Sequence, residues 1–131
     1  MRIAVTRDVL TAMGRAAGSA YPSECCGILL GADCRIDGIL PTINVHPAPE
    51  THFEIDPQAL IDTHRAARQG GPQVIGYYHS HPDGPARPSR TDAAMAAGDG
   101  RIWAILGADG IGFWQDAPDG FVAISYDVTG P

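Results

Sequence analysis

Five side chains in this sequence are of the types that carry out metal-assisted hydrolysis together: Glu24, His79, His81, Ser89 and Asp92. The stretch GYYHSHPDGPARPSRTD, residues 76–92, sets two of the chain's five histidines one residue apart, beside Pro82, Pro85 and Pro88. Side chains two apart on a strand leave the same face about 6.5–7 Å apart at the backbone. Both imidazoles can then reach one ion, whereas on a helix they would diverge. Zinc favours imidazole nitrogen and carboxylate oxygen, and a catalytic zinc keeps three protein ligands plus one exchangeable position. Asp92 is the expected third ligand, one helical turn after Ser89 and on its face. The prolines between stiffen the loop and reduce the entropy lost in assembling the site. One zinc per chain is expected.

Hydrolysis at such a centre needs a group that accepts a proton from the attacking water and delivers it to the leaving amine, and a carboxyl suits both steps. Glu24 opens the apolar stretch ECCGILLG after a Pro-Ser turn and is placed for this if that strand neighbours VIGYYH. The Ser89 hydroxyl can then donate to the developing oxyanion. Local alternatives stand beside these roles. Ser89 and Asp92, three apart before an alanine-rich helix, also match a capping box. A non-catalytic binding module would use the same ligands for a structural zinc, although structural sites are closed by four protein ligands and only three are evident. A cysteine nucleophile drawn from Cys25 or Cys26 would leave Glu24 and Asp92 unexplained.

The elements that must hold these groups follow from periodicity. Arg2–Val5 reads as a strand. Thr6 caps a helix from Arg7 to about Ala17, with Val9, Leu10, Met13, Ala16 and Ala17 at helical spacing. ECCGILLGA and IDGILPTINV read as strands. Asp56 and Pro57 start a second helix that stops at Gly70-Gly71. VIGYYH reads as a buried strand and SRTDAAMAAG as a short helix. RIWAILG, IGFWQ and FVAISYDV are three more strands, joined by turns at Asp109-Gly110 and Pro118-Asp119-Gly120. This order predicts an α+β domain built on one curved, mixed β-sheet with flanking helices. His46 and His52 flank a proline-rich loop within reach of a substrate, and His64 lies on the second helix.

At 131 residues, 44% of them hydrophobic and 18% charged, the chain suits a single globular domain, residues 1–131. No stretch is long and apolar enough to span a bilayer, and Arg7 and Asp8 interrupt any N-terminal apolar run. Cys25, Cys26 and Cys34 are an odd number and read as free thiols in a reducing compartment, so a cytoplasmic location is expected. The net charge is −6, and no basic stripe offers itself to nucleic acid.

The order Glu24, His79-Ser80-His81-Pro82, Ser89, Asp92 resembles the signature of the JAMM (MPN+) zinc metalloproteases, and PSECCGILLG resembles that family's setting for its glutamate. The resemblance spans nearly the whole chain and implies the MPN/JAMM (cytidine deaminase-like) fold. It implies that His79, His81 and Asp92 hold zinc, that Glu24 is the base and acid, and that Ser89 steadies the oxyanion. It implies cleavage of peptide or isopeptide bonds after the C-terminal glycines of ubiquitin-like proteins. The chain is too short for the insertions with which eukaryotic members grip ubiquitin, so the implied partner is a ubiquitin-fold sulfur-carrier protein. Its extended tail would pair with an exposed strand edge beside the zinc.

Overall fold

Ile3 and Val5, on one face of β1 (Arg2–Thr6), point inward, 3% and 0% exposed. Thr6 then ends the strand and starts a helix, its Oγ1 accepting the Val9 N–H at 3.3 Å. The computed structural model describes residues 1–131. The helix that follows, α1 (Arg7–Ala20), buries Val9 and Met13 and runs three residues beyond the stretch expected from spacing.

Strands β2 (Cys26–Ala32) and β3 (Arg35–Thr42) form a hairpin, and α2 (Pro57–Arg68) starts from the Asp56 cap with Pro57 in its first turn. Next come β4 (Gln73–Ser80), α3 (Arg90–Met95), β5 (Ile102–Gly107), β6 (Gly110–Ala117) and β7 (Gly120–Thr129). Of the two last turns, the first sits one residue earlier than expected and the second is one residue shorter. Gly107 pairs with Gly110 and Ala117 with Gly120, so Ala108-Asp109 and Pro118-Asp119 form the turns. Each glycine opens the next strand at φ 126° or 127°, a backbone setting that side chains disfavour.

The curved sheet goes further than the sequence implied and closes into a barrel in the order β1-β3-β2-β4-β5-β6-β7. Closure comes from the ten residues of β7, which pair in parallel with β1 from Arg2↔Ser125 to Thr6↔Thr129. On its other side β1 meets β3 at only two positions, Ala4↔Arg35 and Val5↔Ile36. The interior is filled by Ile3, Val5, Val9, Met13, Leu29, Ile36, Tyr78, Leu106 and Phe113 among others. A smaller apolar cluster of Cys26, Ile28 and Ile55, with Phe53, Leu60 and Tyr77 packed on it, occupies the opposite face. Gly27 lies directly across from Tyr78, and a Cβ there would collide with the tyrosine ring. That glycine lets β2 and β4 close up beside the site.

Candidate metal centre

β4 lies between β2, antiparallel, and β5, parallel, so both of its edges are occupied. The expected strand-edge route for a substrate beside the histidines is therefore absent at β4; the open edge is on β3 from Asp37 onward, beyond its two pairs with β1. His79 is the penultimate residue of β4, fully buried, with its ring stacked on Phe53 at 4.2 Å between centroids and 16° between planes. Trp103 meets the same ring edge-on at 5.6 Å. These two rings hold the imidazole in one orientation.

His81 lies just past the strand, anchored by its N–H to the Leu106 carbonyl at 2.7 Å. Its Nδ1 donates to the Pro85 carbonyl at 2.8 Å, which leaves the Nε2 lone pair free to face the site. The proline loop is itself pinned to the β5–β6 hairpin: Ala108 N–H donates to Gly84 O at 2.8 Å, Ala86 N–H to Asp109 Oδ1 at 2.8 Å and Trp114 Nε1–H to Ala86 O at 3.2 Å.

Asp92 resolves the choice between ligand and cap, because it has the geometry of both. Ser89 caps α3 by accepting the Asp92 N–H at 3.1 Å, and Asp92 Oδ2 accepts the Ser89 N–H at 2.9 Å. The same carboxylate faces His79 Nε2 at 3.0 Å through Oδ1 and His81 Nε2 at 3.1 Å through Oδ2. The two Nε2 atoms stand 3.1 Å apart. Zinc bonds of about 2.0–2.1 Å in a tetrahedron would separate neighbouring donor atoms by about 3.3–3.4 Å. The observed triangle is within a few tenths of an ångström of that, so the residues present fit the ion. No fourth side chain joins them.

Charge follows geometry. Burial acts to raise the pKa of Asp92, but the two imidazoles that face it hold its carboxyl well below the usual range. Burial pushes His79 down and keeps it neutral, as a ligand must be. Burial also acts to lower His81, but the Asp92 carboxylate and the Pro85 carbonyl outweigh it and raise that histidine.

Glu24 is buried, 6% exposed, two residues before β2 begins. Cys26 pairs with His79, and Ser80 ties the next position by accepting the Cys25 N–H on Oγ at 2.8 Å and donating its own N–H to Cys25 O at 3.2 Å. Continuing this register sets Glu24 opposite His81. Asn44 secures it from behind, its Nδ2 donating to Glu24 O at 3.1 Å and to His52 O at 3.0 Å. The Glu24 pKa is raised to about 7, mainly by burial, with His81 opposing and Asp92 reinforcing. Its carboxyl accepts no protein hydrogen bond and is free for a proton-transfer partner.

Ser80, Asn44, Phe53 and Trp103 are the positioning residues that the sequence reading missed. Strand alternation does signal Ser80, since a residue between two same-face histidines must point the other way. His46 and His52 stack on each other at 4.6 Å, and His64 faces the Tyr77 hydroxyl at 3.5 Å. Cys25 is in the barrel core and Cys26 in the smaller cluster, and burial raises both thiols, so neither is an activated nucleophile.

A mixed barrel with two strand-end imidazoles and a helix-capping carboxylate aimed at one point defines a metallohydrolase of the JAB1/MPN fold. The chain belongs to the prokaryotic homologs of the JAB domain, whose family model matches residues 6–118. It is similar to the desampylase of Haloferax volcanii, 35% identical over 105 residues that make up 79% of this chain and 76% of that one. It is 30% identical to the CysO-cysteine peptidase of Mycobacterium tuberculosis over 96 residues, 72% of this chain and 65% of the peptidase. A solved JAB1/MPN domain protein from Archaeoglobus fulgidus shares the fold with a TM-score of 0.62 at 20% identity, covering 95% of this chain and 96% of that one. No helix is long and apolar enough to cross a membrane.

Proposed function

We propose that residues 1–131 form one zinc-dependent metallopeptidase domain, acting in the cytoplasm, that hydrolyses the peptide or isopeptide bond after the C-terminal glycines of a ubiquitin-fold sulfur-carrier protein. The observation that carries this is the convergence of His79 Nε2, His81 Nε2 and the Asp92 carboxylate within 3.0–3.1 Å of one another, with Glu24 in register across from His81. The substrate class is supported by the activities named for the Haloferax and Mycobacterium relatives.

In this reading His79, His81 and Asp92 hold the zinc. The ion supplies Lewis acidity when bound, polarising the scissile carbonyl and making water a stronger acid. Glu24 takes the proton as water adds to the carbonyl carbon, then returns it to the leaving nitrogen as the C–N bond breaks. A carboxyl that titrates near neutrality can do both. The Ser89 hydroxyl accepts from Asp92 N–H, so its own proton is available to the carbonyl oxygen as negative charge grows there. Beside His79, a cavity of about 330 Å³ lined by Phe53, Leu60, Tyr77, Met95 and Trp103 offers the carrier tail an apolar path in place of a strand edge.

The test is incubation of zinc-loaded protein with sulfur carriers extended by a short peptide past their Gly-Gly ends, with products read by mass spectrometry. Cleavage after the second glycine, lost in Glu24→Gln, is expected. An inert zinc-loaded protein across a broad carrier panel would overturn the proposal.

A further inference from the structure

On the outer face of the barrel, α2, β4 and the entry to β5 enclose a second cavity of about 220 Å³, lined by His64, Ala67, Arg68, Gln73, Val74 and Arg101. Half of this lining can carry positive charge and none of it is acidic, in a chain with 15 carboxylates against 9 arginines. The dipole of α2 accounts for basic residues in its last turn, where Arg65 and Arg68 lie. It does not account for Arg101, which arrives from a different element.

The donors here are short of acceptors. Arg68 has no hydrogen-bond or ion-pair partner, and Arg101 Nε is enclosed without one. The one carboxylate near Arg101 is Asp99, 3.4 Å from Nη1 and already accepting the Arg101 backbone N–H at 3.0 Å. Arg101 and Arg68 both disfavour protonation of His64, after burial, so the three groups feel one another. Basic groups that outnumber the one carboxylate beside them favour an incoming anion.

The position of the cluster indicates which anion. Tyr77, which faces His64, and Asp99, which pairs with Arg101, also line the apolar cavity beside His79. Along β4 from Val74 to His79 is five residues, or about 17 Å at about 3.3 Å per residue. An extended tail of about five residues therefore spans the distance from the cluster to the metal centre. We infer that His64, Arg68 and Arg101 form a docking site for an acidic side chain on the folded body of the ubiquitin-fold substrate, which delivers its tail through the apolar cavity to His79. This rests on the carrier reading of the active site and adds to it where the body of the carrier sits and what charge it must present. It makes the enzyme selective for carriers with a carboxylate about five residues' reach from the cut.

Binding can be read apart from cleavage. The probe is an acidic ubiquitin-fold sulfur carrier ending at its second glycine, the product form, titrated into zinc-loaded protein; the control is a peptide of its last six residues. Arg68→Glu, at an exposed and unpartnered position, should raise Kd for the carrier about tenfold or more and leave the peptide unchanged, and Arg68→Lys should recover most of the loss. Carrier affinity should also fall towards 1 M salt, where the screening length drops to about 3 Å, while peptide affinity holds. Equal carrier affinity in Arg68→Glu and wild type, or no carrier binding at all, overturns the docking site. So does millimolar inorganic phosphate that weakens peptide and carrier alike, which would mark a small-anion site. Charge-dependent carrier binding without cleavage of extended carriers would instead remove the peptidase reading and leave the docking site standing.

Discussion

Replacing Asp92 by alanine separates two jobs that the structure assigns to one carboxylate. Without metal, the variant loses the acceptor for the Ser89 N–H, half of a capping box, at about 1 kcal/mol. It also loses the acceptor facing the two imidazoles, about another 1 kcal/mol as a net hydrogen-bond contribution. The zinc-free gap should therefore be about 2 kcal/mol. Zinc at a thousand times its Kd stabilises the wild type by about 4.1 kcal/mol through mass action and should give the variant nothing, so the gap should widen to about 6 kcal/mol. Urea unfolding of both proteins with and without zinc measures the two gaps, and elemental analysis after desalting measures the metal. Ser89→Ala is the internal comparison: it loses the cap on the Asp92 N–H, costs about 1 kcal/mol, and keeps the full gain from zinc. A gap that stays near 2 kcal/mol with zinc present, or one zinc per chain retained by Asp92→Ala, would show that the carboxylate only caps α3.

Glu24→Gln should keep the fold and zinc while lowering turnover by at least about a hundredfold, the lower range for a positioned acid–base group; carrier cleavage rates check this. The folded Glu24 carboxyl holds its proton up to about pH 7 whereas the ordinary value is 4.5, so the folded state binds more protons between those limits. The zinc-free wild type should accordingly lose stability relative to Glu24→Gln as pH rises from 4.5 to 7, and parallel stability curves for the two proteins would refute the buried placement of Glu24. Ser80→Ala strands the buried Cys25 N–H and should cost about 1–3 kcal/mol. Because Ser80 sets the register of Glu24 and ligates nothing, its loss should lower kcat with zinc content unchanged, and metal loss in this variant would mean that Ser80 supports the ligands directly.

What was legible in the sequence was local. Thr6, Asp56-Pro57 and Ser89 marked helix starts because a cap is a contact between residues two or three apart, and each is found where expected. The histidine pair was legible because strand alternation alone sends residues 79 and 81 to one face. Barrel closure was not, because it depends on pairing between β1 and β7, some 123 residues apart, whose alternation would suit an open sheet equally well. The edges of β4 are covered by β2 and β5 in an open sheet as much as in the barrel, so it is the strand order, not closure, that denies a strand-edge route at β4. The roles of Phe53 and Asn44 exist only once the segment before α2 folds back over β4 and the start of β2, and that of Trp103 only once β5 pairs with β4. For Asp92 the sequence admits ligand and cap alike because each explanation suffices alone, and only the folded site has its two oxygens serving both.

The central claim is an open three-ligand zinc centre, and X-ray absorption at the zinc edge of the loaded protein tests it directly. Two imidazole nitrogens at about 2.0–2.1 Å and carboxylate oxygen at about 2.0–2.2 Å, with no sulfur, are expected, the remaining scatterer being an exchangeable light atom. A sulfur shell at about 2.3 Å, or four protein ligands around the ion, would contradict the account, because a closed site leaves the substrate nowhere to meet the metal.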